Sequence, residues 1–251
     1  MVVCPECTCK ACRGAGYILD SAGQVVACSK CNAVDYAAQS GLTEDELRLN
    51  ANSIGILGSQ MDKGAQQILR WLVGDVIANP AGWITLWGSY GTAKTLAIQA
   101  MVAGLVRKGL AARFYHAKRL EQGWFDDMHG DTANATLYSR VRVLAIDEAH
   151  TVNLKSDWTR AKWQELMDNR YRSGLAGTTL TLLICQQEPH QCMPGDVASR
   201  MADGRFYRPW PGAGNCQTVQ RADWGAGHFL PGIIHVQGQD MRPHMPPRRR
   251  A

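Results

Sequence analysis

An α/β fold, with a parallel sheet covered by helices and a small metal-binding module in front of it, is what this sequence predicts, and three observations predict it. The run Trp83-Ile84-Thr85-Leu86-Trp87 breaks into a Gly-rich loop and then a helical pattern, the strand–loop–helix order of a phosphate-binding P-loop. Downstream, near-continuous apolar runs alternate with helical stretches, as in a parallel sheet covered on both faces. Upstream, six of nine cysteines crowd into the first 31 residues, all of them in Cys-x-x-Cys pairs.

The chain has 251 residues, long enough for one α/β core and an accessory module. Its net charge is +5, and four of those charges are Arg242, Arg248, Arg249 and Arg250 in a tail with no acid after Asp240. The body is therefore close to neutral, so a nucleic-acid contact has to come from local patches. No apolar run approaches the ~18 residues of a membrane span, and the first residues do not read as a signal peptide. The expectation is a soluble, cytoplasmic protein without a membrane partner, in which cysteines are more useful as metal ligands than as disulfides.

Residues 1–35 carry Cys9-x₂-Cys12 and Cys28-x₂-Cys31, the spacing of a tetrahedral Zn²⁺ site. Between the pairs, Tyr17-Ile18-Leu19 and Gln24-Val25-Val26 flank Asp20-Ser21-Ala22-Gly23, a hairpin signal. So small a segment has little core, and Zn²⁺ would supply its folding free energy. Cys4 and Cys7 have the same spacing and could replace Cys9 and Cys12. The glycines and hairpin that follow Cys12 favour the second pair.

Residues 36–80 read as a helical linker and the opening helix of the main domain. Thr43-Glu44-Asp45-Glu46 is an N-cap signature, and Asp62 to Ala78 places Ile68, Leu69, Leu72 and Ile77 at helical spacing before Asn79-Pro80 ends the helix. The main domain is assigned to residues 81–210. Its strands are expected at 83–87, 113–117, 141–146 and 178–185, with a short fifth at Arg205-Phe206-Tyr207. Its helices are expected from Lys94 to Val106, Lys118 to Met128 and Trp158 to Arg172. Residues 211–251 are rich in Gly and Pro and close on the basic tail.

The chemistry-bearing residues fall at strand ends. In Gly88-Ser89-Tyr90-Gly91-Thr92-Ala93-Lys94-Thr95, successive backbone N–H groups and a helix N-terminus would face one anion. Lys94 would reach the β- and γ-phosphates of ATP, and the Thr95 hydroxyl would bind Mg²⁺. Ala93 stands where a last Gly is expected, and its methyl narrows the backbone angles open to the loop. The third strand ends in Asp147-Glu148, where Asp147 would hold Mg²⁺ and Glu148 would polarise the attacking water.

Taken together, the stretches GSYGTAKT, LAIDEAH, WQELMDNRYRSG and VASRMADGR resemble, in this order, the AAA+ ATPases of the DnaC/DnaI helicase-loader type. The IstB transposition helpers are relatives of that family. The N-terminal CKACRGAGYILD…VVACSKC looks like the zinc module that precedes the ATPase in many loaders. The resemblance covers roughly residues 4–208. It implies an ASCE-type P-loop sheet, ATP-dependent homo-oligomers, contact with single-stranded DNA and delivery of a hexameric replicative helicase during replication initiation. It also implies that Arg200, in Ser199-Arg200-Met201, is an arginine finger reaching the next protomer's γ-phosphate, with Arg170 a second interface cation. Gln187 matches the sensor position, where the family usually carries Asn or Thr. Lys118, Arg119, Trp124 and Phe125 lie where related initiators place a DNA-binding insertion, although core packing is the stronger expectation for the two aromatics. Three functions remain to be separated: a helicase loader, an IstB-like helper of a DNA transposase, and a nucleotide-gated DNA-binding adaptor with little hydrolysis. The zinc module favours the loader, whereas Ala93 and Gln187 keep the adaptor in play.

Overall fold

The computed structural model describes residues 17–19, 25–27, 36–57, 63–130, 134–209, 229–230 and 232–236. Strands β1 (Tyr17–Leu19) and β2 (Val25–Ala27) pair antiparallel in the register Tyr17↔Ala27 and Leu19↔Val25, as the hairpin signal predicts. Cys4, Cys7, Cys9, Cys12, Cys28 and Cys31 lie outside the described residues, and so does the basic tail.

Helices α1 (Tyr36–Gln39), α2 (Glu44–Leu47) and α3 (Ala51–Leu57) lead into α4 (Lys63–Ala78). Thr43 caps α2: its hydroxyl accepts from the Glu46 N–H, and the Glu46 carboxylate accepts from the Thr43 N–H at 2.9 Å. Two otherwise orphaned donors are satisfied reciprocally, which lets so short a helix hold. This stretch is no loose tether. Ile54, Leu69, Leu72 and Val73 are fully buried in the main core.

Strand β3 (Gly82–Trp87) runs into α5 (Lys94–Arg107), followed by β4 (Ala112–His116), α6 (Ala117–Met128) and α7 (Asn134–Arg140). After them come β5 (Val143–Asp147), α8 (Asp157–Leu175), β6 (Leu180–Cys185), α9 (Pro189–Cys192) and α10 (Gly195–Met201). Every residue of β5 and β6 is buried. Because successive side chains on a strand point to opposite faces, burial of all of them means both faces of the sheet are covered. Helix α5 is buried nearly all round, and it approaches α4 so closely that a Cβ on Gly104 would come within 2.3 Å of Ile77 Cδ1.

Residues 205–207 do not form the expected fifth strand: Gly204–Phe206 is a 3₁₀ turn capped by Asp203, whose carboxylate accepts from the Arg205 N–H at 2.9 Å. Beyond it, β7 (Arg208–Pro209) pairs antiparallel with β8 (Phe229–Leu230). The fifth strand is β9 (Ile233–His235), from the stretch read as Gly- and Pro-rich tail. The main sheet has the order β4-β5-β6-β3-β9, with every neighbouring pair parallel. The P-loop strand and the Asp147 strand are thus separated by β6, the arrangement of an ASCE-type P-loop sheet. All of its chemistry-bearing loops leave from the carboxyl ends of the strands. Among the described residues no helix is long and apolar enough to cross a membrane.

Candidate nucleotide site

The loop between β3 and α5 leaves the sheet at Gly88, whose φ is 138°. A Cβ there would lie 2.3 Å from the Val236 carbonyl oxygen, so the position requires glycine for space as well as angle. Gly91 turns the loop at φ 72°, and Tyr90 at its tip is half exposed. Thr92 tucks inside and donates to the Ser89 carbonyl at 3.0 Å. Ala93 occupies the left-handed region at φ 58° and ψ 16°, immediately before α5, and gives that helix no side-chain cap. An anion bound in the loop would lie at the first N–H groups of α5.

Lys94 is buried, and its ammonium donates to the carbonyls of Gly88 (2.9 Å) and Ser89 (2.6 Å) and to Thr92 Oγ1 (2.9 Å). The lysine is thus folded back into the loop that would cradle phosphate. Two of these bonds go to loop carbonyls and one to the Thr92 hydroxyl, acceptors that phosphate oxygens would replace. Next along the helix, the Thr95 hydroxyl donates to Asp147 Oδ2 at 3.1 Å, joining α5 to the end of β5.

Asp147 is almost fully buried. Burial pushes its carboxyl pKa up, against the hydrogen bonds from Thr95 and from the Glu148 N–H (2.8 Å), which favour the charged form. Glu148 follows at φ 54° and ψ 38°, the only non-glycine besides Ala93 with positive φ among the described residues. Its backbone carbonyl accepts from Thr151 Oγ1 at 2.8 Å, and its side chain is exposed. The strained turn therefore presents one carboxylate to solvent while its neighbour stays inside. Non-glycine residues in this region cost of order 1–3 kcal/mol each and persist where the surroundings over-determine them, commonly at active sites.

Two histidines join the site without being singled out by the sequence reading. His116 ends β4 in register with Asp147, and its Nδ1 lies 3.8 Å from Asp147 Oδ2. His150 Nδ1 accepts from the Gln186 N–H at 3.4 Å, tying the end of β5 to the end of β6. Burial pushes the His150 pKa down, so the ring is neutral at pH 7 and free to accept. Strand-end position was the available signal for both, and it needs the pairing register to be read. On the far side of β3, His235 stacks on Trp87 with ring centroids 3.7 Å apart and planes 4° off parallel.

The structure brings Gly88 to Thr95, Asp147 and Glu148 together at one end of the sheet. Gln187 lies just past β6, exposed in an open groove with His150, Asn153 and Lys118. Arg200 stands apart on α10, its Nη1 paired with Asp168 and with Asp196 (3.3 Å). Arg170 is not an interface cation. It is fully buried, donating from Nε to Thr181 Oγ1 at 2.9 Å, from Nη1 to the Val141 carbonyl and from Nη2 to the Leu180 carbonyl. Burial, aided by the nearby Arg142, pushes its pKa down to about 9, which leaves it charged at neutral pH. Trp124 packs in the core as expected, edge-on to Tyr138. Phe125 is 40% exposed and stacks on Trp158 at 4.8 Å. Lys118 pairs with Glu121 at 2.9 Å, and Arg119 is exposed.

No protein-family model matches the sequence, and no curated protein matches it significantly. Solved structures do match in fold. The replication initiator DnaA bound to AMPPCP and single-stranded DNA aligns with a TM-score of 0.52 and 15% identity over 74% of this chain and 51% of that one. DnaI aligns with a TM-score of 0.51 and 13% identity over 64% of this chain and 90% of that one. A putative primosome component from Streptococcus pyogenes serotype M3 aligns with a TM-score of 0.50 and 13% identity over 80% of this chain and 93% of that one. The chain spans about half the length of the DnaA initiators it matches. At these identities the likeness establishes the fold, that of the AAA+ P-loop NTPases.

Proposed function

We propose that the chain is an ATPase that assembles into homo-oligomers and delivers a hexameric replicative helicase to single-stranded DNA. The observation that carries the ATPase reading is the Thr95–Asp147 hydrogen bond, which places a P-loop hydroxyl and a strand-end carboxylate 3.1 Å apart beside the buried Lys94. A hydroxyl and a carboxylate so placed are hard oxygen donors and fit Mg²⁺. Mg²⁺ bound there would neutralise charge on the β- and γ-phosphates. A carboxylate as buried as Asp147 also fits a site made for a cation.

Lys94 would exchange its carbonyl partners for phosphate oxygens, and the N–H groups at the start of α5 would hold the same anion. Glu148, exposed beside them, would orient water in line with the γ-phosphorus and draw off its proton. One lysine and one metal leave the transition-state charge under-compensated. Arg200 of a neighbouring copy would supply the missing cation, worth ~10³-fold or more in rate. The loader assignment draws its support from the likeness to DnaI over nine-tenths of that chain and from the paired Cys-x-x-Cys module with its hairpin. A second reading, an adaptor that binds ATP with little turnover, is favoured by the left-handed backbone of Ala93.

ATP turnover measured against protein concentration, with and without single-stranded DNA, tests the proposal alongside co-elution with the host's replicative helicase. The expected result is turnover that rises more steeply than linearly, is stimulated by DNA, and belongs to a protein that carries the helicase. Tight binding with negligible turnover under all conditions establishes the adaptor. Recovery of a transposase instead of a helicase establishes the IstB-like helper.

A further inference from the structure

Arg200 is held by one corner. Its Nη1 donates to Asp168 on α8 and to Asp196, one turn back on α10. Its Cζ lies 5.9 Å from the centre of the Tyr171 ring. Among the described residues its Nε and Nη2 make no hydrogen bond, and 28% of the side chain remains exposed. A guanidinium carries five donors in a rigid planar fork. Two carboxylates from two helices fix one corner and leave the Nε–Nη2 edge, one of the two that grip an anion bidentately, open to a ligand.

We propose that Asp168 and Asp196 are positioning residues that hold Arg200 with this edge ready for the γ-phosphate of ATP bound to a neighbouring copy of the chain. The inference rests on the shared site proposed above and names what sets up its arginine. Magnitudes favour this role over simple tethering of α10 to α8. Ion pairs as exposed as these contribute little to folding. The rotamer freedom they remove from an arginine, expressed as a rate, amounts to about 30-fold. A finger already ordered in the free protomer has that much less to lose when the interface forms.

Mixed oligomers test it. Lys94→Ala can lend an arginine but not a P-loop, and Arg200→Ala the reverse, so an equimolar mixture should regain turnover at interfaces that combine the intact halves. Asp168→Ala is then added to one partner at a time. Placed with Lys94→Ala, the arginine donor, it should lower kcat by about 10-fold and leave ATP affinity unchanged. Placed with Arg200→Ala, it should change nothing. Asp168→Asn, which keeps an acceptor oxygen, should recover part of the loss, and Asp196→Ala should show the same donor bias. Equal loss in both placements, or no loss in either, overturns the positioning role while leaving the shared site intact. A parent mixture that stays inactive although both variants assemble overturns the shared site and this inference with it.

Discussion

The two ends of the main sheet are built on opposite terms. At the amino ends of the strands, three arginines spend their donors on backbone carbonyls. Arg170 binds those of Val141 and Leu180, Arg142 those of Gly177 and Thr178, and Arg208 those of Asn79 and Ala81 with Asp75 as its counter-charge. At the carboxyl ends lie the two strained non-glycine residues, Ala93 and Glu148, a helix start without a side-chain cap, and a buried carboxylate with a raised pKa. One end commits its arginines to backbone acceptors; the other keeps two strained residues and a helix start without a side-chain cap. The fold is tied together at the amino ends, and the opposite edge can then carry groups that are costly until a ligand arrives.

The largest test of that contrast is at the carboxyl end. Lys94→Ala should abolish ATP binding, while Glu148→Gln should keep binding and lower turnover by ~10²- to 10⁴-fold, the range for a lost general base. Equilibrium binding and single-turnover hydrolysis on the two variants separate them; equal loss of binding in both would mean that Glu148 belongs to the ground-state cradle. At the amino end the effect should be on folding alone. Arg170→Met leaves the Thr181 hydroxyl and two carbonyls short of a partner, and about 3 kcal/mol of lost stability is expected, near 6–12 °C in Tm for a chain of this size. ATP affinity per folded molecule should not move, and Arg170→Lys should rescue little because one ammonium cannot replace a three-point fork. A normal melting curve for Arg170→Met would refute the structural role.

Smallest is Ala93→Gly, which relieves the left-handed strain and adds unfolded-state freedom, for a net gain of about 1 kcal/mol or less. Thermal melts without and with nucleotide check it. If ATP raises the Tm of the glycine variant more than that of the parent, the alanine is holding back the nucleotide-bound loop. An equal rise in both confines the strain to the free state.

Much of this was legible in the sequence, and the rest was hidden for physical reasons. Strand β3, the P-loop, the Asp147-Glu148 turn and the Thr43 cap all announce themselves within a few adjacent residues, where composition and spacing carry the signal. The fifth strand does not. Ile233–His235 is three residues long beside Pro231-Gly232, and only its pairing with the distant β3 makes it a strand. Arg205–Tyr207 had the aromatic composition of a strand, but Asp203 caps it into a 3₁₀ turn. Arg170 reads as a surface charge until its three buried acceptors come from Val141, Leu180 and Thr181, on other segments. His116 meets Asp147 through register, which no single strand encodes.

The contact between Gly88 and Val236 has a consequence for biosynthesis. The loop that would hold phosphate begins against a carbonyl that is made long after it, and the Val236 N–H closes the pair by donating to the Trp87 carbonyl at 2.8 Å. On a ribosome, β3 and α5 emerge early yet have no flank on that side until residue 236 clears the exit tunnel. The nascent chain therefore passes most of its synthesis with the phosphate loop unsupported along one edge, and closing so long a loop is a slow kind of contact to form. Nucleotide arriving before then would meet an unfinished cradle, so β9, the last of the described sheet strands to be made, would time when the proposed site can first form.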